Sequence, residues 1–109
     1  MAQSLFQQAR ELETLTNKLL ASHDLSELPH SEKLLVNDIK HQLIDGRLDT
    51  REYEYAQTRA EQLHAAREGK ARYELLRQNI VKASEFNLFG SIDVAQLSVY
   101  IEQIISQME

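Results

Sequence analysis

The sequence predicts an all-α fold: a small bundle of about four helices with a long, bent third helix, forming a single domain over residues 1–109. Three observations carry this. Apolar residues recur at three- and four-residue steps along most of the chain, the spacing that gathers them on one side of a helix. Helix breakers are scarce, with one proline, Pro29, and three glycines, Gly46, Gly69 and Gly90, while strong helix formers such as Leu, Gln, Glu and Ala are abundant. Residues with branched β-carbons seldom alternate with polar ones, so strands have little to build on. A length of 109 residues suits one modest core. A hydrophobic share of 42% beside 27% charged residues is a globular balance.

The first helix is expected from about Gln3 to Ala21, with Leu5, Ala9, Leu12, Leu15 and Leu19 on one face and Phe6 and Leu20 widening it. The stretch Ser22 to His30 holds capping residues and Pro29, which stop one helix and start the next. A second helix is expected over about Ser31 to Ile44, burying Leu35, Val36, Ile39 and Leu43, with Leu34 and Ile44 off that face. Asp45-Gly46 is read as its end, because glycine accepts the left-handed conformation that follows a helix. Asp49, with Glu52 three residues on, has capping-box spacing and is read as opening the long third helix. Its stripe runs Tyr53, Ala56, Ala60, Leu63, then Ala66, Gly69, Tyr73, Leu76, Ile80 and Ala83, with a bend or break expected near Gly69. After a loop from Ser84 to Gly90, Ser91 caps a last helix from Ile92 to about Gln107, whose stripe is Val94, Leu97, Ile101, Ile104 and Met108.

Cysteine is absent, so disulfides, thiolate metal sites and thiol catalysis are excluded. Residues 1–10 carry no basic start or long apolar run of a secretory signal, and no apolar stretch approaches the roughly 20 residues a bilayer span needs. A cytoplasmic location is expected. The formal net charge of −5 argues against a general attraction to nucleic acid or anionic lipid. The acidity is uneven, since residues 59–83 hold 6 Lys and Arg against 3 Asp and Glu.

The run Ile39-Lys-His-Gln-Leu43-Ile-Asp45-Gly46-Arg-Leu48-Asp-Thr50-Arg-Glu52-Tyr53, within Leu35 to Leu63, resembles the helical hairpin of SHOCT-type short modules: an apolar helix, an acidic-Gly turn, an apolar residue, Thr, then Glu and an aromatic. It covers roughly a quarter of the chain. Modules of that kind are linked to oligomerisation or protein contact, and the resemblance implies a role of that sort rather than catalysis.

Chemistry-bearing patterns are sparse. Glu61-Gln-Leu-His64 places two metal-ligating types on one helical side, with Asp38-Ile-Lys-His41 as a partial echo; bundle metal sites use two Glu-x-x-His motifs plus further glutamates, which this chain does not supply. Surface pairing of Glu61, His64 and Glu68 is the plainer reading. Nucleophile elbows and phosphate-cradling glycine loops are missing, so no enzymatic activity, cofactor or metal is expected. Two interaction surfaces remain. Arg59, Arg67, Lys70 and Arg77 fall on one side of the third helix and could meet nucleic acid. Phe86 and Phe89 either plug the end of the bundle or serve as exposed anchors, and Val99, opposite the last helix's stripe and beside Tyr100, is expected to face solvent. The favoured expectation is a bacterial, non-enzymatic adaptor, regulator or secretion-type chaperone that holds a partner's amphipathic helix and possibly forms a homodimer. A nucleic-acid-binding regulator is the alternative.

Overall fold

The computed structural model describes residues 3–108. Among them are four α-helices, α1 (Leu5–Ala21), α2 (His30–Tyr55), α3 (Arg59–Ser84) and α4 (Ser91–Gln107), with a short 3-10 turn at Leu25–Glu27 between α1 and α2. The all-α bundle read from the periodicity is the observed fold. Each helix runs antiparallel to the next. Glu13 on α1 reaches Arg47 on α2, Gln42 on α2 accepts a hydrogen bond from Asn79 on α3, and Arg77 on α3 donates to Glu102 on α4. Gln8 and Gln107 join α1 to the end of α4, closing the ring.

Local chemistry explains the helix starts. Ser4 caps α1 by accepting from the Gln7 N–H at 3.1 Å, and the Gln7 side chain accepts from the Ser4 N–H in return. A second cap comes from across the bundle: the Glu54 carboxylate on α2 accepts the Leu5 and Phe6 N–H groups, each at 2.9 Å. Four N–H groups at a helix start have no partner within the helix, and the dipole there favours negative charge, so this contact both satisfies donors and sets α1 against α2. At the other end of the chain, α4 begins one residue earlier than expected, with Gly90 as N-cap and its N–H donating to Asp93. α3 closes on Asn87, at φ 64°, with the Leu88 N–H donating back to the Ala83 carbonyl.

Two boundaries differ from the sequence reading. α2 does not end at Asp45-Gly46; it continues as one helix of 26 residues to Tyr55. Consequently Asp49 and Glu52 cap nothing, and α3 starts at Arg59 rather than near Asp49. Its true cap is Thr58, whose hydroxyl accepts from the Glu61 N–H at 3.1 Å. Gly46 has a packing reason instead of a terminating one. A Cβ there would lie 2.7 Å from Cζ of Tyr73, so only glycine lets the ring lie against the α2 backbone. Gly69 is similar, with its missing Cβ facing Met108 and Asp49, and α3 passes through it without a break. The residues from Ile39 to Tyr53 that carry the SHOCT-like pattern therefore lie in one uninterrupted helix.

The core is shared by all four helices. Leu12, Leu20, Ile39, Leu43, Tyr73, Leu76, Ile80, Leu97, Ile101, Ile104 and Met108 are almost wholly withdrawn from water. Full burial of one such side chain contributes about 1.5–3 kcal/mol. Polar groups inside are mostly satisfied on their own helix: Thr16 donates to the Leu12 carbonyl at 2.7 Å and Thr50 to that of Arg47 at 2.6 Å. Among the described residues the exceptions are Arg47 Nε, which has only the Glu13 carboxylate as an ionic neighbour, and the Tyr73 hydroxyl, both buried without a hydrogen-bond partner.

Candidate functional site: the outward face of the second helix

Continuing α2 past Gly46 creates a surface that the shorter helix would not have. With Leu35, Val36, Ile39, Leu43, Gly46, Asp49 and Thr50 facing inward, the opposite side of the helix carries Leu34, Ile44, Leu48 and Tyr55, which are 50%, 41%, 43% and 74% exposed. Asn37, His41 and Arg51 fill the intervening positions and are exposed too. The row Leu34, Asn37, His41, Ile44, Leu48, Arg51, Tyr55 advances by alternating three- and four-residue steps. This is the spacing of a heptad seam, the line along which one helix packs on another. The core does not use it.

Charges flank the row asymmetrically. Asp38, Asp45 and Glu52 stand on the side of α3, where Asp45 lies 3.7 Å from Arg72. Lys33, Lys40 and Arg47 stand on the side of α1, where the Arg47 Nε is 3.0 Å from Glu13. At its C-terminal end the row is held in place. The Arg51 guanidinium lies 5.8 Å from the Phe6 ring and 5.9 Å from that of Tyr55, a cation–π arrangement that draws the charge sideways off the seam. Past Tyr55 the chain turns through Ala56 and Thr58, and an open hollow of about 600 Å³ forms between Glu52, Tyr55, Ala56, Ala60, Glu61 and His64. A smaller depression of about 490 Å³ lies over Leu48, Arg51, Glu52 and Tyr55. Small residues at Ala56 and Ala60 leave room beside the exposed tyrosine ring.

Beneath this face sits a partly buried ion pair. Arg72 Nε donates to Asp49 Oδ2 at 2.6 Å. Burial pushes the Asp49 carboxyl up despite the opposing pull of Arg72, whereas the hydrogen bond to Asp49 raises Arg72. The pair ties α2 to α3 directly under the Asp45–Glu52 flank.

The residues singled out from the sequence are dispersed. Phe89 is only 3% exposed and belongs to the core, so it is no exposed anchor; the Asn87 turn carries it inward, where it closes the end of the bundle. Phe86, on the same loop, stays 42% exposed. Val99 is 56% exposed, with Ile92 two turns earlier at 81%, while Tyr100 is half-buried against the core. On α3, Arg77 hydrogen-bonds to both Glu74 and Glu102; these hold it protonated and pair its charge with two carboxylates. Arg59 bonds to Gln62, Arg67 is exposed and Lys70 is half-buried. Glu61 accepts the Gln57 N–H, and no group of three or more His, Asp or Glu poised to hold a metal occurs among the described residues. No helix among them is long and apolar enough to cross a membrane. Compared with family models, curated proteins and solved structures, the chain matches none.

Proposed function

We propose that this chain is a non-enzymatic protein-interaction module that holds an amphipathic helix on the outward face of α2. The observation that carries the reading is the exposed seam from Leu34 to Tyr55 with opposite charge on its two flanks. Scattered exposed apolar residues are ordinary, but four of them in heptad register on one helix, Leu34, Ile44, Leu48 and Tyr55, support a helix-binding role. The helix it fits has apolar residues at seam spacing, an acidic edge to meet Lys33, Lys40 and Arg47, and a basic edge to meet Asp38, Asp45 and Glu52. Adaptors, regulators and chaperones share this mode of action.

The test uses two synthetic heptad helices with leucine along the seam. One carries acidic and basic edges arranged to complement α2, and the other has the edges exchanged. Titration followed by fluorescence anisotropy is expected to show tighter binding of the complementary helix, and loss of that binding in Leu48→Glu but not in Val99→Glu. Equal binding of both helices, or indifference to Leu48→Glu, would sink the reading.

A further inference from the structure

The geometry points to a second copy of this chain as the occupant: α2 of one protomer lies parallel and in register along α2 of the other. This rests on the reading of the α2 face given above and names the helix that fills it. Placed in heptad terms, Leu34, His41, Leu48 and Tyr55 take the a positions and Asn37, Ile44 and Arg51 the d positions. The residues at e are then Asp38, Asp45 and Glu52, all acidic, and those at g over the same stretch are Lys33, Lys40 and Arg47, all basic.

That arrangement selects one orientation. In a parallel pair, each g residue faces the e residue of the next heptad on the other helix. Lys33 therefore meets Asp38 of the second copy and Lys40 meets Asp45, and each pair occurs again by symmetry; Arg47, half-buried and paired with Glu13 on its own chain, adds to the basic edge without reaching across. In an antiparallel pair, g faces g and e faces e, which would set lysines against lysines and carboxylates against carboxylates. α2 is thus complementary to itself in the parallel sense alone. The position of α2 in the bundle permits the approach. Its seam points directly away from the core, so two bundles can meet along this one helix and splay apart. The row spans about 32 Å at 1.5 Å per residue, long enough for a helix pair. With Asn37, His41 and Arg51 among the seam positions, the expected dimer is weak and concentration-dependent, its polar seam residues fixing register at some cost in affinity.

The experiment is light-scattering-coupled size exclusion and sedimentation of the full chain over a concentration series, with two charge variants. Lys33→Glu/Lys40→Glu and Asp38→Lys/Asp45→Lys each turn attraction into repulsion, and each is expected to weaken self-association roughly ten-fold or more. Mixing the two variants restores it, because the acidic g edge of one then meets the basic e edge of the other. Orientation is read separately: Leu34→Cys, in a chain with no other cysteine, forms a disulfide-linked dimer under mild oxidation only if the helices are parallel and in register. A wild-type chain that stays monomeric at every concentration overturns the second-copy inference, as does a dimer insensitive to the charge variants or a Leu34→Cys chain that does not cross-link. A monomeric chain that still binds the complementary synthetic helix leaves the interaction function standing, so the two failures are distinguishable.

Discussion

The hydroxyl end of Tyr73 lies against the bare Cα of Gly46: a methyl group there would stand 2.7 Å from Cζ and 2.9 Å from the hydroxyl oxygen. The ring is fully buried and cannot swing away. This contact decides how closely α2 and α3 approach and lets α2 run past the point where the sequence suggests it stops. Gly46→Ala is therefore expected to destabilise the chain by about 1–3 kcal/mol, although alanine is the better helix former. Tyr73→Phe removes an unpartnered buried hydroxyl and is expected to be neutral or stabilising. Combining it with Gly46→Ala should recover part of the loss, because one of the crowding atoms is gone. Urea unfolding of the four chains gives the cycle; strict additivity would contradict the direct contact.

Gly69 offers a contrast. Its absent Cβ faces chiefly the flexible, unbranched end of the Met108 side chain. Met108 can yield where the Tyr73 ring cannot. Gly69→Ala is expected to cost distinctly less than Gly46→Ala, with the gain in helix propensity of about 1 kcal/mol offsetting the crowding. Comparing the two midpoints in urea checks the order.

Much of the architecture was legible in the chain. The run Ala66, Gly69, Tyr73, Leu76, Ile80 and Ala83 and most of the α4 stripe are buried faces as expected, because a face that packs on a core writes its own period; in α1 the face turns after Leu12 to Thr16 and Leu20, leaving Leu15 and Leu19 half-buried. The α2–α3 boundary lies between Tyr55 and Arg59, not where the local pattern of Asp45-Gly46 sets it. Asp45-Gly46 is locally indistinguishable from a helix stop, and what overrides it is Tyr73, a distant residue that needs the space. A better signal was present at Thr58, where Thr-x-x-Glu marks a helix start, and the structure shows the Thr58–Glu61 hydrogen bond of that motif. Misplacing the boundary also hid the seam. Leu34 and Ile44 look like strays on a short helix, and Leu48 and Tyr55 acquire meaning only when α2 runs unbroken between them. Of the two readings of the aromatic loop, the plug holds for Phe89 and not for Phe86, and the direction each ring takes goes with the turn at one left-handed residue, Asn87.

Glu54 holds the start of α1 from another helix. Its replacement by alanine frees two N–H groups, and about 1 kcal/mol of stability is expected to go with them. Glu54→Gln, which keeps an acceptor but no charge, should fall between. Amide hydrogen exchange at Leu5 and Phe6 would show the release directly, because Ser4 accepts only the Gln7 N–H, and unchanged protection would mean that Glu54 does not hold these two donors.

Asp49 carries a pH dependence whose sign follows from burial. Its carboxyl is raised above the ordinary 3.8, so the folded chain holds that proton more tightly than the unfolded one. The stability this group contributes is present in full below about pH 3.8 and is lost as the pH climbs through the raised value. Asp49→Asn lacks the titration while retaining an acceptor for Arg72. The stability of this variant relative to wild type should accordingly improve as the pH is taken from about 3 to about 7. Urea denaturation across that range tests it. The opposite trend would mean that the attraction of Arg72 outweighs desolvation.

Replacing an exposed seam residue should leave the fold intact. Leu48→Glu is expected to change unfolding stability by no more than about 0.5 kcal/mol, since Leu48 lies outside the core cluster, while abolishing helix binding. A large loss of stability would instead place Leu48 among residues that hold the bundle together.

The most direct measurement is amide chemical-shift mapping of the isotope-labelled chain, titrated with the complementary synthetic helix. Shifts are expected along Leu34, Ile44, Leu48, Arg51 and Tyr55 and their flanks, with the surface around Val99 on α4 silent. Shifts centred on Val99 and Ile92, or none at all, would contradict it.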